Sequence, residues 1–263
     1  MRLPRRDAAI PGPNRLLAAR VVGVAGVLVY NWWIPAIVVR RGFPKADAFF
    51  SDLSANSEPH AKALQRLDLL AAALILLALL LRGPLGRLGR RREWPVLVAF
   101  AVASGVGGLF PFQCASTGNA VCRQLESQLQ LPLHHYLHIL AAVAEFGTAT
   151  AAILLARASA DIHTPEGRMV RRIFVTVALC YPMLAASFFT RRWGAFIEPV
   201  YFVSFSLIVA AELFAPPPPA GWSPTSEPAA LNDTIDVRDR PSAPRPERSE
   251  PSSSTDAGAD ADA

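Results

Sequence analysis

The sequence predicts an all-α fold: a polytopic membrane protein whose six transmembrane helices form a bundle, followed by a disordered C-terminal tail. Three observations carry that expectation. Of the 263 residues, 52% are hydrophobic and 18% charged, against roughly 25% charged in soluble domains. The apolar residues fall in blocks of about 15 to 20, the length needed to cross some 30 Å of hydrocarbon. The formal charge of +5 is spread over short basic clusters between those blocks, where a topology signal sits. No stretch interleaves aromatic and basic residues as a nucleic-acid surface does, so nucleic acid is not an expected partner.

The first block, residues 21–39, follows Arg2, Arg5, Arg6, Arg15 and Arg20. It resembles a signal peptide at its start, but it is too long and lacks a small-residue cleavage site, so it reads as an uncleaved span. Further blocks cover residues 67–81, 95–112, 137–156, 173–189 and 196–214. Inside lipid each must be helical, because an isolated strand would leave its amides unpaired. The expected organisation is a cytoplasmic segment over residues 1–15, a six-helix domain over 16–214 and a tail over 215–263. The tail is rich in Pro and Ser from Pro216 onward and has too little apolar surface to offset its ordering entropy.

Lys and Arg orient the spans. Fourteen fall on the N-terminal side, in the stretches holding Arg2 to Arg20, Arg82 to Arg92 and Arg157 to Arg172, against eight opposite, from Arg40 to Arg192. That bias puts the N-terminus inside, and an even number of spans returns the C-terminus there. The expected location is therefore the plasma membrane, with both termini cytoplasmic.

Polar chemistry gathers on the expected outer side. The first outer loop contains Asp52 and His60, Asp68 follows at the mouth of the second span, and His134, His135 and His138 open the fourth. On a helix His134, His138 and Glu145 fall within roughly 40° of one another. Imidazoles four residues apart can share a metal, and a carboxylate at membrane depth is a functional candidate by default. Asp52, His60, Asp68, His134, His138 and Glu145 are accordingly the candidate ligand-binding residues, expected to converge on one pocket. A packing role for the same histidine face stands beside that reading. Arg191 and Arg192 with Glu198 could grip an anionic headgroup, or form a plain interfacial ion pair.

Cys114 and Cys122, eight positions apart in the second outer loop, read as a disulfide on an oxidising side and as a metal pair otherwise; the orientation favours the disulfide. Gly118 and Asn119 between them suit the turn it needs. Cys180, inside the fifth span, is expected to stay reduced.

Ser51-Asp52-Leu53-Ser54 before the second span, Phe110-Pro111 ending the third and the histidines opening the fourth resemble the bacterial family grouped as domain of unknown function 998. That group is similar to the six-span damage-regulated autophagy modulator class. The resemblance covers residues 16–214 and implies a six-helix bundle in a bacterial plasma membrane, without supplying a reaction.

Three functions remain in view. One is a non-enzymatic protein that binds or senses lipid or envelope components through the outer pocket, with membrane lipids as partners. A second is a membrane-embedded hydrolase with zinc held by His134, His138 and His60. A third is a small-solute transporter built on Glu145, weakened by the absence of paired broken helices. No phosphate-binding loop, dinucleotide turn, nucleophile elbow or His-Glu-x-x-His motif occurs, which favours the non-enzymatic reading. The sequence names no protein partner.

Overall fold

The structure is a computed structural model describing residues 12–40, 48–83, 93–159, 163–190 and 192–214. All belong to the first of two units, Met1–Pro219; the second, Ala220–Ala263, lies outside the described residues, as does the expected disorder of the tail.

The described residues form helices and one 3-10 turn. Helix α1 is Pro13–Tyr30, α2 Trp33–Arg40, α3 Ala61–Arg82 and α4 Glu93–Leu109, with the 3-10 turn at Ser51–Ser54 before α3. Then come α5 Ala120–Ser127, α6 Leu133–Ser159, α7 Pro165–Thr190 and α8 Gly194–Phe214. Five of these, α1, α3, α6, α7 and α8, are long and apolar enough to cross a membrane, and α4 is a shorter apolar helix of 17 residues. Large apolar side chains also face outward, among them Leu17, Val21 and Leu28 on α1 and Leu70, Leu77 and Leu80 on α3. Such a surface is what lipid, not water, solvates.

Two elements depart from the sequence reading. The first block is not one span: α1 starts at Pro13 and ends at Tyr30, and α2 begins after a turn at Asn31 and Trp32. The Asn31 side chain explains the stop, because its Nδ2 donates to the Val27 carbonyl at 2.8 Å and to Ser206 Oγ on α8 at 2.7 Å. A side chain that caps its own helix competes with the continuing ladder. The second departure is α5, an amphipathic helix of eight residues whose third residue, Cys122, is one half of the disulfide, too short and polar to register as a block.

The helices close a ring: α1 packs on α3, α3 on α4, α4 on α6, α6 on α7, α7 on α8, and α8 back on α1. The α1–α3 seam is close because Gly26 has no side chain; a Cβ there would lie 3.0 Å from the Ile75 amide nitrogen. Small residues permit this approach, and tight backbone packing is what holds helices together where no hydrophobic force operates. Helix α8 also touches α3 and α6, and its Ile197, Tyr201, Phe205, Ile208, Val209 and Leu213 belong to the main core. At the end of the bundle opposite the disulfide, Arg82 Nη1 donates to the Leu213 carbonyl at 3.1 Å, and Arg82 Nε lies 3.6 Å from Glu212.

Candidate functional site

The break after α1 turns its last aromatic residues into the bundle. Tyr30 donates its hydroxyl to Glu145 Oε1 at 2.8 Å, and Trp32 Nε1 donates to Asp68 Oδ1 at 2.5 Å. Ser104 on α4 is a further hydrogen-bond partner of Glu145. These groups, with Ser54, His138, Phe146, Glu198 and Phe202, line a chamber of about 60 Å³. Among the described residues its wall has no Lys or Arg. Its carboxyl groups are held by neutral donors, an arrangement that membrane proteins keep at a cost and concentrate at functional sites.

His138 is fixed by a proline. In α4 the Gly107 carbonyl would normally accept from the amide four residues on, but that residue is Pro111, which has no N–H. His138 Nδ1 fills the vacancy, lying 2.9 Å from the Gly107 oxygen and 3.0 Å from that of Phe110. Carbonyls only accept, so Nδ1 carries the proton. The neighbouring His135 is fully buried and holds the opposite tautomer. The Gln113 amide donates to its Nδ1 at 3.2 Å, and its Nε2 donates to Glu126 Oε2 at 3.3 Å.

Above the chamber sits a polar rim tied together across distant segments. Asp52 Oδ2 accepts from the Phe49 amide at 3.1 Å and from the Thr117 hydroxyl. Glu198 Oε2, on α8, accepts from the Phe50 amide and from that of Ser51 at 3.4 Å. Cys114 and Cys122 form a disulfide with Cα atoms 6.1 Å apart, and Asn119 caps α5 by accepting from the Cys122 amide at 3.1 Å. The sequence reading of this pair is thereby met, and Cys180 is a free thiol. The Asn56 amide donates to the Phe112 carbonyl at 2.8 Å, joining the first loop to the second.

Between α6 and α7 the rim roofs a cleft of about 320 Å³. Its walls are Ile139, Ala142, Val143, Phe146 and Gly147 on α6 and Tyr181, Leu184, Ala185 and Phe189 on α7; its polar end is Ser51, Asp52, Ser116, Glu126 and Glu198. Val143, Tyr181 and Phe189 are 62%, 48% and 83% exposed, so the mouth lies on the lipid-facing flank. A Cβ on Gly147 would meet nothing within 4 Å. Chamber and cleft share Ser51, Ala142, Phe146 and Glu198 as a common wall.

Residues 23–215 match the family model described as protein of unknown function (DUF998). The chain belongs to that family. No curated protein and no solved structure matches it. The DUF998 region takes in every residue lining chamber and cleft. Two of the motifs that carried the resemblance meet in one contact, since Phe110-Pro111 and His138 are joined through the vacant carbonyls.

Of the residues singled out in the sequence of this DUF998 protein, Asp68, His138 and Glu145 share the chamber, and Asp52 lies across its wall in the cleft. His60 and His134 line neither. His60 begins α3 in the left-handed conformation, with φ of 66°, and His134 bonds to Gln113 Oε1 at 3.1 Å, about one helical turn from His138. Among the described residues no group of three or more His, Cys, Asp or Glu is arranged to hold a metal. Glu198 meets backbone amides, and Arg191 lies outside the described residues. Tyr30, Trp32, Ser104 and Glu126 had no sequence signal: each became part of the site only through a partner at least nine residues away. Glu198 did have one, being a carboxylate in an apolar block.

Proposed function

We propose that this membrane protein binds an amphiphile drawn from the bilayer, its apolar tail lying in the cleft between α6 and α7 and its head at the polar rim. A single observation carries the reading: the cleft is apolar along both helices, polar only at its roof, and opens on the lipid-facing side. Its volume falls within the roughly 300–1,000 Å³ of small-molecule sites. The wall residues run from 139 to 147 on one helix and from 181 to 189 on the other, in each case about 12 Å of helix axis. Binding of this kind suits a protein that senses or organises envelope lipids.

The disulfide end faces outward on this reading, and α4 is the sixth crossing. Structural disulfides persist in oxidising compartments, and the arginine bias puts the opposite end in the cytoplasm. A bacterial plasma membrane with both chain termini inside accommodates both facts. Reporter fusions at Gly118 should read outside and fusions after Gly89 inside; the reverse pattern overturns the orientation.

Gly147→Trp tests the cleft itself. The indole enters open space, so the fold should survive while the site is filled. Native mass spectrometry of protein released from its membrane should show bound amphiphile on the wild type and loss of it on the variant. Equal retention by both would reject the cleft as the site.

A further inference from the structure

We propose that a second groove, between α7 and α8, holds an anionic phospholipid of the leaflet opposite the disulfide, its phosphate on Arg168 and Arg172 and an acyl chain lying between the helices. The groove has a volume of about 530 Å³ and runs past Met169, Ile173 and Thr176 on α7 and Pro199, Val203 and Leu207 on α8. The Ser204 hydroxyl, also in its wall, is satisfied within α8, where it donates to the Val200 carbonyl at 2.6 Å. Val203 and Leu207 are exposed, so the groove opens sideways into lipid. Arg172 stands in the same wall and is exposed as well. Phe189, at the rim of the first cleft, follows Arg172 along α7 by about 25 Å of helix axis, which puts Arg172 toward the other face of the membrane.

Charge and position choose the occupant. Arg168 and Arg172 are one turn apart on one side of α7, neighbours by helical spacing, and Arg171 adjoins them. All three fall in the opening turns of the apolar span Gly167–Ser187. At that depth an arginine lays its stem along apolar neighbours and extends its head to the interface. Arg168 Nη1 donates to the His163 carbonyl at 2.8 Å, which uses one of the guanidinium's several N–H groups. The start of a helix is also the end whose dipole favours an anion. A phosphodiester there gains from the dipole and from guanidinium forks that match its oxygens, while its acyl chain covers Ile173, Val203 and Leu207. A second copy of this chain packed into the groove would instead press Arg172 against apolar side chains.

The test places full-length protein in nanodiscs of phosphatidylcholine and phosphatidylglycerol and counts, by native mass spectrometry, the lipid that stays bound on release into detergent. The wild type should retain phosphatidylglycerol in preference to phosphatidylcholine. That retention should fall roughly fivefold for each of Arg168→Gln and Arg172→Gln, and less for Arg172→Lys, which keeps the charge and loses the fork. Val203→Trp fills the groove and should expel the lipid with both arginines in place, whereas Gly147→Trp, in the other cleft, should leave it bound. Excess inorganic phosphate should not displace it. Retention indifferent to the arginine substitutions, or lost through Gly147→Trp, overturns the site and leaves the α6–α7 reading to its own test. Displacement by inorganic phosphate, or retention that survives Val203→Trp, removes the acyl chain from the groove and overturns the proposal. A dimer that Val203→Trp dissociates, with no phosphatidylglycerol retained, gives the groove to a second copy and overturns it equally.

Discussion

At the scale of single residues, the chamber is built from vacancies that one chain segment leaves and another fills. Pro111 withholds an amide from Gly107, and His138 supplies the missing proton from α6. His138→Ala should thus orphan two carbonyls and destabilise the bundle by about 1–3 kcal/mol. Restoring an amide with Pro111→Ala should reduce that loss, and unfolding of the four proteins of the cycle in detergent measures the coupling. Strictly additive effects would mean that the two residues do not serve the same carbonyl. The sequence disclosed part of this. Helical periodicity placed His134, His138 and Glu145 on one side of a helix, yet an arc of 40° is wide enough to straddle a packing boundary. His138 and Glu145 fell on the chamber side and His134 beyond it. The burial of His135 depends on Glu126 and Gln113, partners that no local pattern reveals.

At the scale of elements, the apolar blocks located the long helices because lipid imposes both their length and their composition. What the blocks could not show was how helices stop. Asn31 ends α1 through a contact with Ser206, 175 positions away, so the expected 21–39 span came out as two helices. The short α5 owes its place to the disulfide that ties its first turn, through Cys122, to Cys114. That bond closes a loop of eight or nine residues, a constraint of roughly 2–3 kcal/mol by loop entropy. Cys114→Ser should therefore loosen the whole segment from Cys114 to Ser127 and release Thr117 from Asp52. Hydrogen exchange should show the amides of α5, and those of the Phe49–Asp52 stretch, losing protection together. If only α5 loosens, the disulfide is not what holds the rim.

At the scale of the whole molecule, the ring order was not legible, because helices that are apolar on every side look alike toward lipid and toward one another. The deciding contacts are small residues and polar pairs: Gly26 against Ile75, Asn31 with Ser206, Arg82 beside Glu212. Two of these three involve α8, the helix that reaches furthest into the core. It is also the last of the described helices to leave the ribosome. Through most of synthesis the earlier helices lie in the membrane without it, and the Phe50 amide, Asn31 and Arg82 lack the groups they meet in the finished fold. Glu212 and the Leu213 carbonyl, the α8 groups that Arg82 meets, are then missing, so such an intermediate should be short-lived and open to quality-control proteases. A chain ending at residue 192 should accordingly be degraded in cells, and residues 193–263 expressed as a separate piece should rescue its abundance. Stable accumulation of the shortened chain alone would mean that the ring holds without its centre. The chamber, whose wall includes Glu198 and Phe202, thus closes only once α8 has joined the helices that precede it.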